Sequence, residues 1–163
     1  ILSTEKNVII VEHKLGYINI NAGIDRSNIS KNTDLVLLLP ENPKKSANDI
    51  QTQISSELGK DDSVIITDSM TRPYRSGVTN FAIASSNIQS LIDLKGEEDI
   101  FGNKLHATEI AIADELAAAA GLLMGQGNDM KPVVIIKGFD RSNYSVNNAY
   151  DLIVNKDEDL YRF

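Results

Sequence analysis

The sequence predicts a mixed α/β (or α+β) fold: a single domain over residues 1–163 in which a mixed sheet packs on a long, buried, Ala-rich helix. Three observations predict it. Short β-branched and apolar runs recur along the chain and are bounded by Gly, Pro, Asn and Asp, as strands are. Two longer segments carry helical spacing or composition, one after Ser46 and one from Thr108 to Met124. The length of 163 residues, with 42% apolar and 24% charged residues, is that of one globular unit able to bury a core.

Val8 to Glu12 and Gly16 to Ile20 read as two strands about a short turn, followed by a polar loop from Asn21 to Ser30 that contains Gly23. Leu35 to Leu39 is a continuous apolar run ended by Pro40 and reads as a strand buried on both faces. Ser46 is a candidate N-cap for a helix in which Ile50, Ile54 and Leu58 recur every four residues, with Gly59 as its stop. Val64 to Thr67 reads as a buried strand leading directly into Asp68-Ser69-Met70-Thr71-Arg72-Pro73-Tyr74-Arg75-Ser76-Gly77. Phe81 to Ala84 is a further strand, whereas Ile88 to Leu94 fits either type of element.

Thr108 to Met124 has the strongest helical character. Its alanines favour helix, and it is apolar around most of its circumference, which predicts a central, buried position. Gly125-Gln126-Gly127-Asn128-Asp129 ends it, and Val133 to Ile136 reads as a last buried strand. The tail from Asn143 to Phe163 is polar apart from Leu152-Ile153-Val154.

Composition narrows the function classes. With no cysteine there is no disulfide, thiolate metal site or cysteine nucleophile, which is compatible with a cytoplasmic protein. Acidic residues outnumber basic ones by 23 to 16, for a net charge of −7, and such a surface repels a nucleic-acid backbone. The longest apolar stretch, Ile110 to Met124, is broken by Asp114 and Glu115 and is too short for a bilayer, so no membrane role is expected. No signal peptide pattern is present, and the first residue, Ile1, points to a fragment or a processed chain.

Candidate chemistry lies where buried strands end, because loops converge there on a rigid frame. Asp68-Ser69 offers a carboxylate and a hydroxyl for a hard metal or phosphate, or equally a turn or cap. Arg72 and Arg75, stiffened by Pro73, form a donor cluster for phosphate or carboxylate, or else surface ion pairs. Asp25 with Asn28 is a second polar pair that an Asx turn would also explain. Gly125 follows a helix C-terminus, so it reads as a C-cap and not as a phosphate loop. His13 and His106 share no metal-ligand spacing, and neither a nucleophile elbow nor a Walker sequence occurs.

Taken in order, these segments resemble the coenzyme F420 gamma-glutamyl ligase family. Ala22-Gly23-Ile24-Asp25-Arg26-Ser27-Asn28 resembles the family's loop, and Leu38-Leu39-Pro40 with Ser46-Ala47 resembles its next segment. The stretches Ile65 to Ser69, Arg72 to Gly77, Thr108 to Gly125 and Asp159-Leu160-Tyr161-Arg162 follow suit. The resemblance implies a ligase that uses GTP to add L-glutamate, through an acyl phosphate, to a deazaflavin acceptor. It implies a homodimer and divalent Mg²⁺ or Mn²⁺, with a monovalent cation such as K⁺ as a further candidate. Asp25, Asp68, Ser69 and Gln126 match the family's metal positions. Asn28 and the loop Met124, Gly125, Gln126, Gly127, Asn128 and Asp129 match its guanine-nucleotide contacts. Arg72 and Arg75 are assigned to catalysis by their chemistry alone.

Departures from the family pattern are local. Ser69 replaces Thr, Met70-Thr71 replaces Phe-Gly, and Tyr74 stands where Trp is common, which bears on the acceptor more than on the metal. The resemblance also implies about a further third of chain ahead of this segment, as part of a larger two-lobed fold, so the 163 residues alone are expected to be a poor ligase. The alternatives are a non-catalytic nucleotide- or deazaflavin-binding module and a related ligase with another acidic acceptor.

Overall fold

The computed structural model describes residues 1–4, 7–31, 34–140 and 145–161. Its elements are β1 (Ile10–Glu12), β2 (Ile18–Ile20), α1 (Pro43–Leu58), β3 (Val64–Arg72), β4 (Arg75–Ser86), β5 (Ile92–Asp93), β6 (Glu109–Ile110) and α2 (Ile112–Met124). Short 3-10 turns lie at Asn21–Gly23 and Ala149–Leu152. The mixture of helices and strands is of the α+β type. Among the described residues, however, the strands form three separate two-stranded antiparallel sheets, β1–β2, β3–β4 and β5–β6, in place of the expected mixed sheet.

The β3–β4 hairpin is the frame. Its strands pair from Val64 with Ser86 down to Arg72 with Arg75, and Pro73-Tyr74 makes the turn with Tyr74 at φ 59°. One face carries Phe81 and Ile83, packed with Tyr17 and with Leu15, Leu39, Ile66, Met70 and Ile153. The other carries Ala82, packed with Ala113 of α2 and Ala149, and with Ile65 and Leu152. Small residues make the second interface close. Gly121 of α2 sits so near β4 that a Cβ there would lie 2.5 Å from Asn80 Oδ1. The tail is pinned to β4 by the Ala149 N–H, which donates to Ser85 Oγ at 3.0 Å, and by Asn148 Nδ2, which donates to the Ser85 carbonyl at 2.8 Å.

α1 packs on β3 and β4 and ends, as its sequence predicts, at Gly59 in the left-handed conformation. Its start differs from expectation. Asn42 is the N-cap, accepting from the Lys45 N–H at 2.9 Å, and Pro43 opens the first turn; Ser46 is already inside the helix and donates to the Asn42 carbonyl. A proline at the first helical position needs no N–H partner, so the helix reaches further back than the Ile50 periodicity shows.

Other expectations are corrected too. Leu35 to Leu39 forms no strand: only Leu37 bridges, to Asp25, and Leu37 and Leu38 are 58% and 64% exposed. Val133 to Ile136 is likewise irregular, with Val133 77% exposed. Apolar runs form buried strands only where a partner strand and a covering layer exist; the first run has only the Leu37 bridge and the packing of Leu39 on the core, and the second forms no ladder among the described residues. α2 begins at Ile112, because Glu109-Ile110 pair with Ile92-Asp93 as β6, and Leu122 at 87% exposure shows that the helix buries one face. Val64 to Thr67 does not end at Asp68; the strand runs on to Arg72, which puts Asp68 and Ser69 in mid-ladder. Asn143 and Arg162, the latter closing the Asp159 to Arg162 match, lie outside the described residues.

Candidate functional site

The site gathers on the β3–β4 hairpin about Asp68 and Ser69. Between Thr67–Ala82 and Met70–Thr79 the ladder is regular, so neighbouring side chains leave on opposite faces while cross-strand partners share one. Asp68, paired with Phe81, therefore points to the Tyr17 side, and Ser69, paired with Asn80, points to the α2 side.

On the first face Asp68 Oδ1 accepts from the Ser69 N–H at 2.7 Å and Oδ2 accepts from Asn19 Nδ2 at 3.1 Å. Burial pushes its carboxyl above the ordinary value; the Ser69 amide and Asn19 pull it back, and the nearby charge of Asp25 pushes it up again. Tyr17 beside it is stacked on His13 at 5.0 Å and edge-on to Phe81 at 6.0 Å. Its phenol is pushed up to about 12, first by burial, then by the neighbouring Tyr150 and Asp68.

Asp25 reaches this face through a strained turn. Asn21, Ala22 and Gly23 all have positive φ, 51°, 59° and 69°, a left-handed run that costs non-glycine residues about 1–2 kcal/mol each. The chain then straightens, and Asp25 and Leu37 exchange backbone hydrogen bonds at 3.0 and 2.9 Å. Asp25 Oδ1 accepts from the Ser27 N–H and Oγ, both at 2.8 Å, so an Asx turn does form here. Those donors, the Ser27 amide foremost, hold its carboxyl below the ordinary value, so Asp25 is a charged neighbour of Asp68.

The second face holds Gln126. Its Nε2 donates to Asn80 Oδ1 at 2.9 Å, while Asn80 Nδ2 lies 3.3 Å from Thr67 Oγ1 and 3.9 Å from Met124 Sδ. Asn80 thereby ties Gln126 and Met124 to the strand position opposite Ser69. Gly125 caps α2 at φ 73°, and a Cβ there would lie 2.0 Å from Asp129 Oδ2, so only glycine lets the Asp129 carboxylate fold back over the helix end. Asn28 Nδ2 donates to the Gly127 carbonyl at 2.9 Å and joins the Asp25 loop to this one. Gly127, Asn128 and Asp129 are exposed.

The charge of Asp25 is thus near enough to be felt at Asp68, while Gln126 is tied through Asn80 to the face where Ser69 points, and Asn28–Gly127 stitches the two loops together. Arg72 and Arg75 stand apart, facing each other at the hairpin end, about 13 Å along the strand from Asp68 at the usual rise per residue. Arg75 is exposed, and Arg72 Nη1 is buried without a hydrogen-bond partner in the described residues.

A cation could be held here by oxygen ligands. The described residues contain no group of three or more His, Asp or Glu able to hold a metal, so amide, hydroxyl or backbone oxygens would have to supplement the two carboxylates. That donor set suits hard Mg²⁺ or Mn²⁺. Two buried polar atoms nearby, Asn19 Oδ1 and Tyr17 Oη, have no partner among the described residues, as expected of groups facing an ion or ligand.

Asn19, Asn80 and Asp114 are absent from the sequence-derived site. Asp114 of α2 accepts from the Ala82 N–H at 2.8 Å, next to the register shift between Ile66 and Thr67, and burial pushes its carboxyl up. An asparagine between two isoleucines in a strand, Ile18-Asn19-Ile20, is a visible signal. Asp114, an acid inside the apolar Ile110 to Met124 stretch, is visible too, whereas Asn80 carries no signal, since its role depends on which strand faces α2.

Among the described residues no helix is long and apolar enough to cross a membrane. Comparison with known families matches residues 1–138 to the family described as F420-0:gamma-glutamyl ligase. The coenzyme F420:L-glutamate ligase of Methanocaldococcus jannaschii is 45% identical over 164 aligned residues, covering 99% of this chain and 64% of that protein. That of Methanococcus maripaludis strain C7 is 45% identical over 156 residues, covering 96% and 61%. That of Methanothermobacter thermautotrophicus is 39% identical over 139 residues, covering 85% and 54%. The chain spans less than two thirds of the length of each of these relatives, and over that span it belongs to the F420-0:gamma-glutamyl ligase family.

Proposed function

We propose that this chain forms part of a GTP-dependent ligase that joins L-glutamate by an amide bond to the deazaflavin acceptor F420-0. Family membership supports the ligase class and the acceptor. What supports the site reading is that the Asp25 loop brings a negative charge near Asp68 on one face of the hairpin, while Ser69 points to the other face, to which Asn80 ties Gln126. Two like charges held close are unfavourable unless a cation is shared between them.

In this reading the acceptor carboxylate attacks the γ-phosphorus of GTP, GDP leaves, and an acyl phosphate forms. The glutamate amine then attacks the acyl carbon and loses a proton, and inorganic phosphate departs. Bound Mg²⁺ or Mn²⁺ would offset the negative charge of the transferring phosphoryl group. Asp25 and Asp68 would hold one ion. Ser69 and Gln126, being across the strand, would hold a second, while Asn28 and the loop from Met124 to Asp129 would contact the nucleotide. Arg72 and Arg75, a like-charged pair across the hairpin end, suit an anionic oxygen of phosphate or carboxylate. K⁺ as an additional cation and a homodimeric assembly belong to the same proposal.

The test is a Mn²⁺ titration by electron paramagnetic resonance, with and without GTP, on the chain and on Asp68→Asn and Asp25→Asn. At least a tenfold loss of Mn²⁺ affinity in each variant is expected, on the order of 1.4 kcal/mol. Unchanged affinity in both would remove the metal reading. Glutamate-dependent GDP release with F420-0 measures turnover; nucleotide binding without release even with all substrates favours a binding module, and release only with another acidic acceptor favours a related ligase.

A further inference from the structure

We propose that Asn19 supplies a neutral oxygen ligand to the cation assigned above to Asp25 and Asp68. The inference rests on that reading and adds a residue from a third segment, β2. The burial pattern of the strand is the first observation. In Ile18-Asn19-Ile20 the amide is 4% exposed, whereas Ile20 is 36% exposed, the reverse of what an apolar core selects. A strand that turns its polar residue inward and an isoleucine outward has a local use for that polar residue.

Position is the second observation. Asn19 Nδ2 donates to Asp68 Oδ2 at 3.1 Å, and a Cβ built on Gly23 would lie 3.3 Å from the same nitrogen. The amide therefore fills the gap between the Asp25 loop and the Asp68 strand. Its Oδ1 is the third observation: it is buried and has no hydrogen-bond partner among the described residues. A carbonyl oxygen so placed is accounted for by an ion or water in contact with it.

Ligand arithmetic points the same way. Mg²⁺ and Mn²⁺ take about six oxygens, and amide carbonyls commonly accompany carboxylates around hard cations. Two carboxylates alone leave most positions open, and the described residues add no third acid or histidine.

The experiment is Mn²⁺ binding without nucleotide, by electron paramagnetic resonance, paired with the thermal midpoint with and without Mn²⁺. The chain, Asn19→Ala, Asn19→Asp and the shape-conserving Asn19→Leu are compared. As a ligand, Asn19 predicts at least a tenfold weaker Mn²⁺ affinity in Asn19→Ala and Asn19→Leu, and a smaller Mn²⁺-induced rise of the midpoint. Asn19→Asp should retain or strengthen Mn²⁺ binding, because it keeps the oxygen and adds charge. A residue that only donates a hydrogen bond to Asp68 predicts the opposite, since an aspartate cannot donate and would repel its neighbour. Loss of Mn²⁺ binding in Asn19→Asp as deep as in Asn19→Ala would therefore overturn the proposal, as would unchanged affinity in Asn19→Ala. Absence of Mn²⁺ binding by the unaltered chain would overturn the underlying cation reading as well, which separates the two failures.

Discussion

Gly121→Ala sets two effects of opposite sign against each other. In a helix interior the change favours folding by about 1 kcal/mol, because alanine has the higher propensity. Here the new methyl would fall 2.5 Å from Asn80 Oδ1, 2.7 Å from its Cγ and 3.1 Å from its Cβ. The amide end of Asn80 is buried and held by Gln126 and Thr67, and its Cβ is close as well, so Asn80 or α2 must move. Overpacking of this kind costs about 1–3 kcal/mol. Asn80 is buried, and displacing it strands the amides that it joins, Gln126 included, for about 1–3 kcal/mol more. The expected net is a destabilisation of about 1–5 kcal/mol, and at ~2–4 °C per kcal/mol for a domain of this size a central value lowers the melting temperature by about 6–12 °C. The assay is thermal unfolding followed by circular dichroism for Gly121→Ala, Asn80→Ala and the double variant. Removing Asn80 makes room for the methyl, so the double variant should be more stable than the sum of the singles predicts by about 1 kcal/mol or more. A melting temperature that is unchanged or raised in Gly121→Ala, or strict additivity, would refute the close approach of α2 to β4 at this point.

Gly23→Ala should destabilise by about 2–5 kcal/mol, read as a lower urea midpoint, since alanine resists a left-handed φ and its Cβ would meet Leu39 Cδ1 at 2.6 Å. Asp114→Asn should flatten the pH dependence of stability. The folded carboxyl of Asp114 is raised above its ordinary 3.8, so its contribution is complete below that value and is lost as pH rises through the folded one. The asparagine still accepts from Ala82 but does not ionise. Urea midpoints measured from below pH 3.8 upward should accordingly fall less in Asp114→Asn than in the unaltered chain. Parallel curves would show that burial of this carboxylate costs nothing.

Much of the local structure was legible because local chemistry encodes it. Gly59 ends α1 and Gly125 ends α2 where the sequence places them, since each adopts a positive φ that other residues resist. The first hairpin, the strand character of Val64 to Thr67 and Phe81 to Ala84, and the Asx turn at Asp25 were also readable from nearest neighbours. The failures share one cause. Leu35 to Leu39 and Val133 to Ile136 have the composition of buried strands, but burial depends on what packs against them, and composition does not carry that.

The ordered motifs from Ala22 to Gly125 by themselves determined the family, and with it the residue types available for chemistry. What they left open is which of those residues meet. Asp68 and Ser69 are adjacent in sequence yet point to opposite faces, because a strand alternates its side chains and Asp68 lies inside a strand that extends to Arg72. Asn19 meets Asp68 across 49 positions, and Gln126 meets Asn80 across 46. Such pairs follow from strand register and from helix-to-sheet distance, both set by long-range packing of small residues at Ala82, Ala113 and Gly121. A one-residue slip of β3 would turn Asp68 and Ser69 to the other faces, so tertiary packing decides the site and the local sequence only supplies its parts.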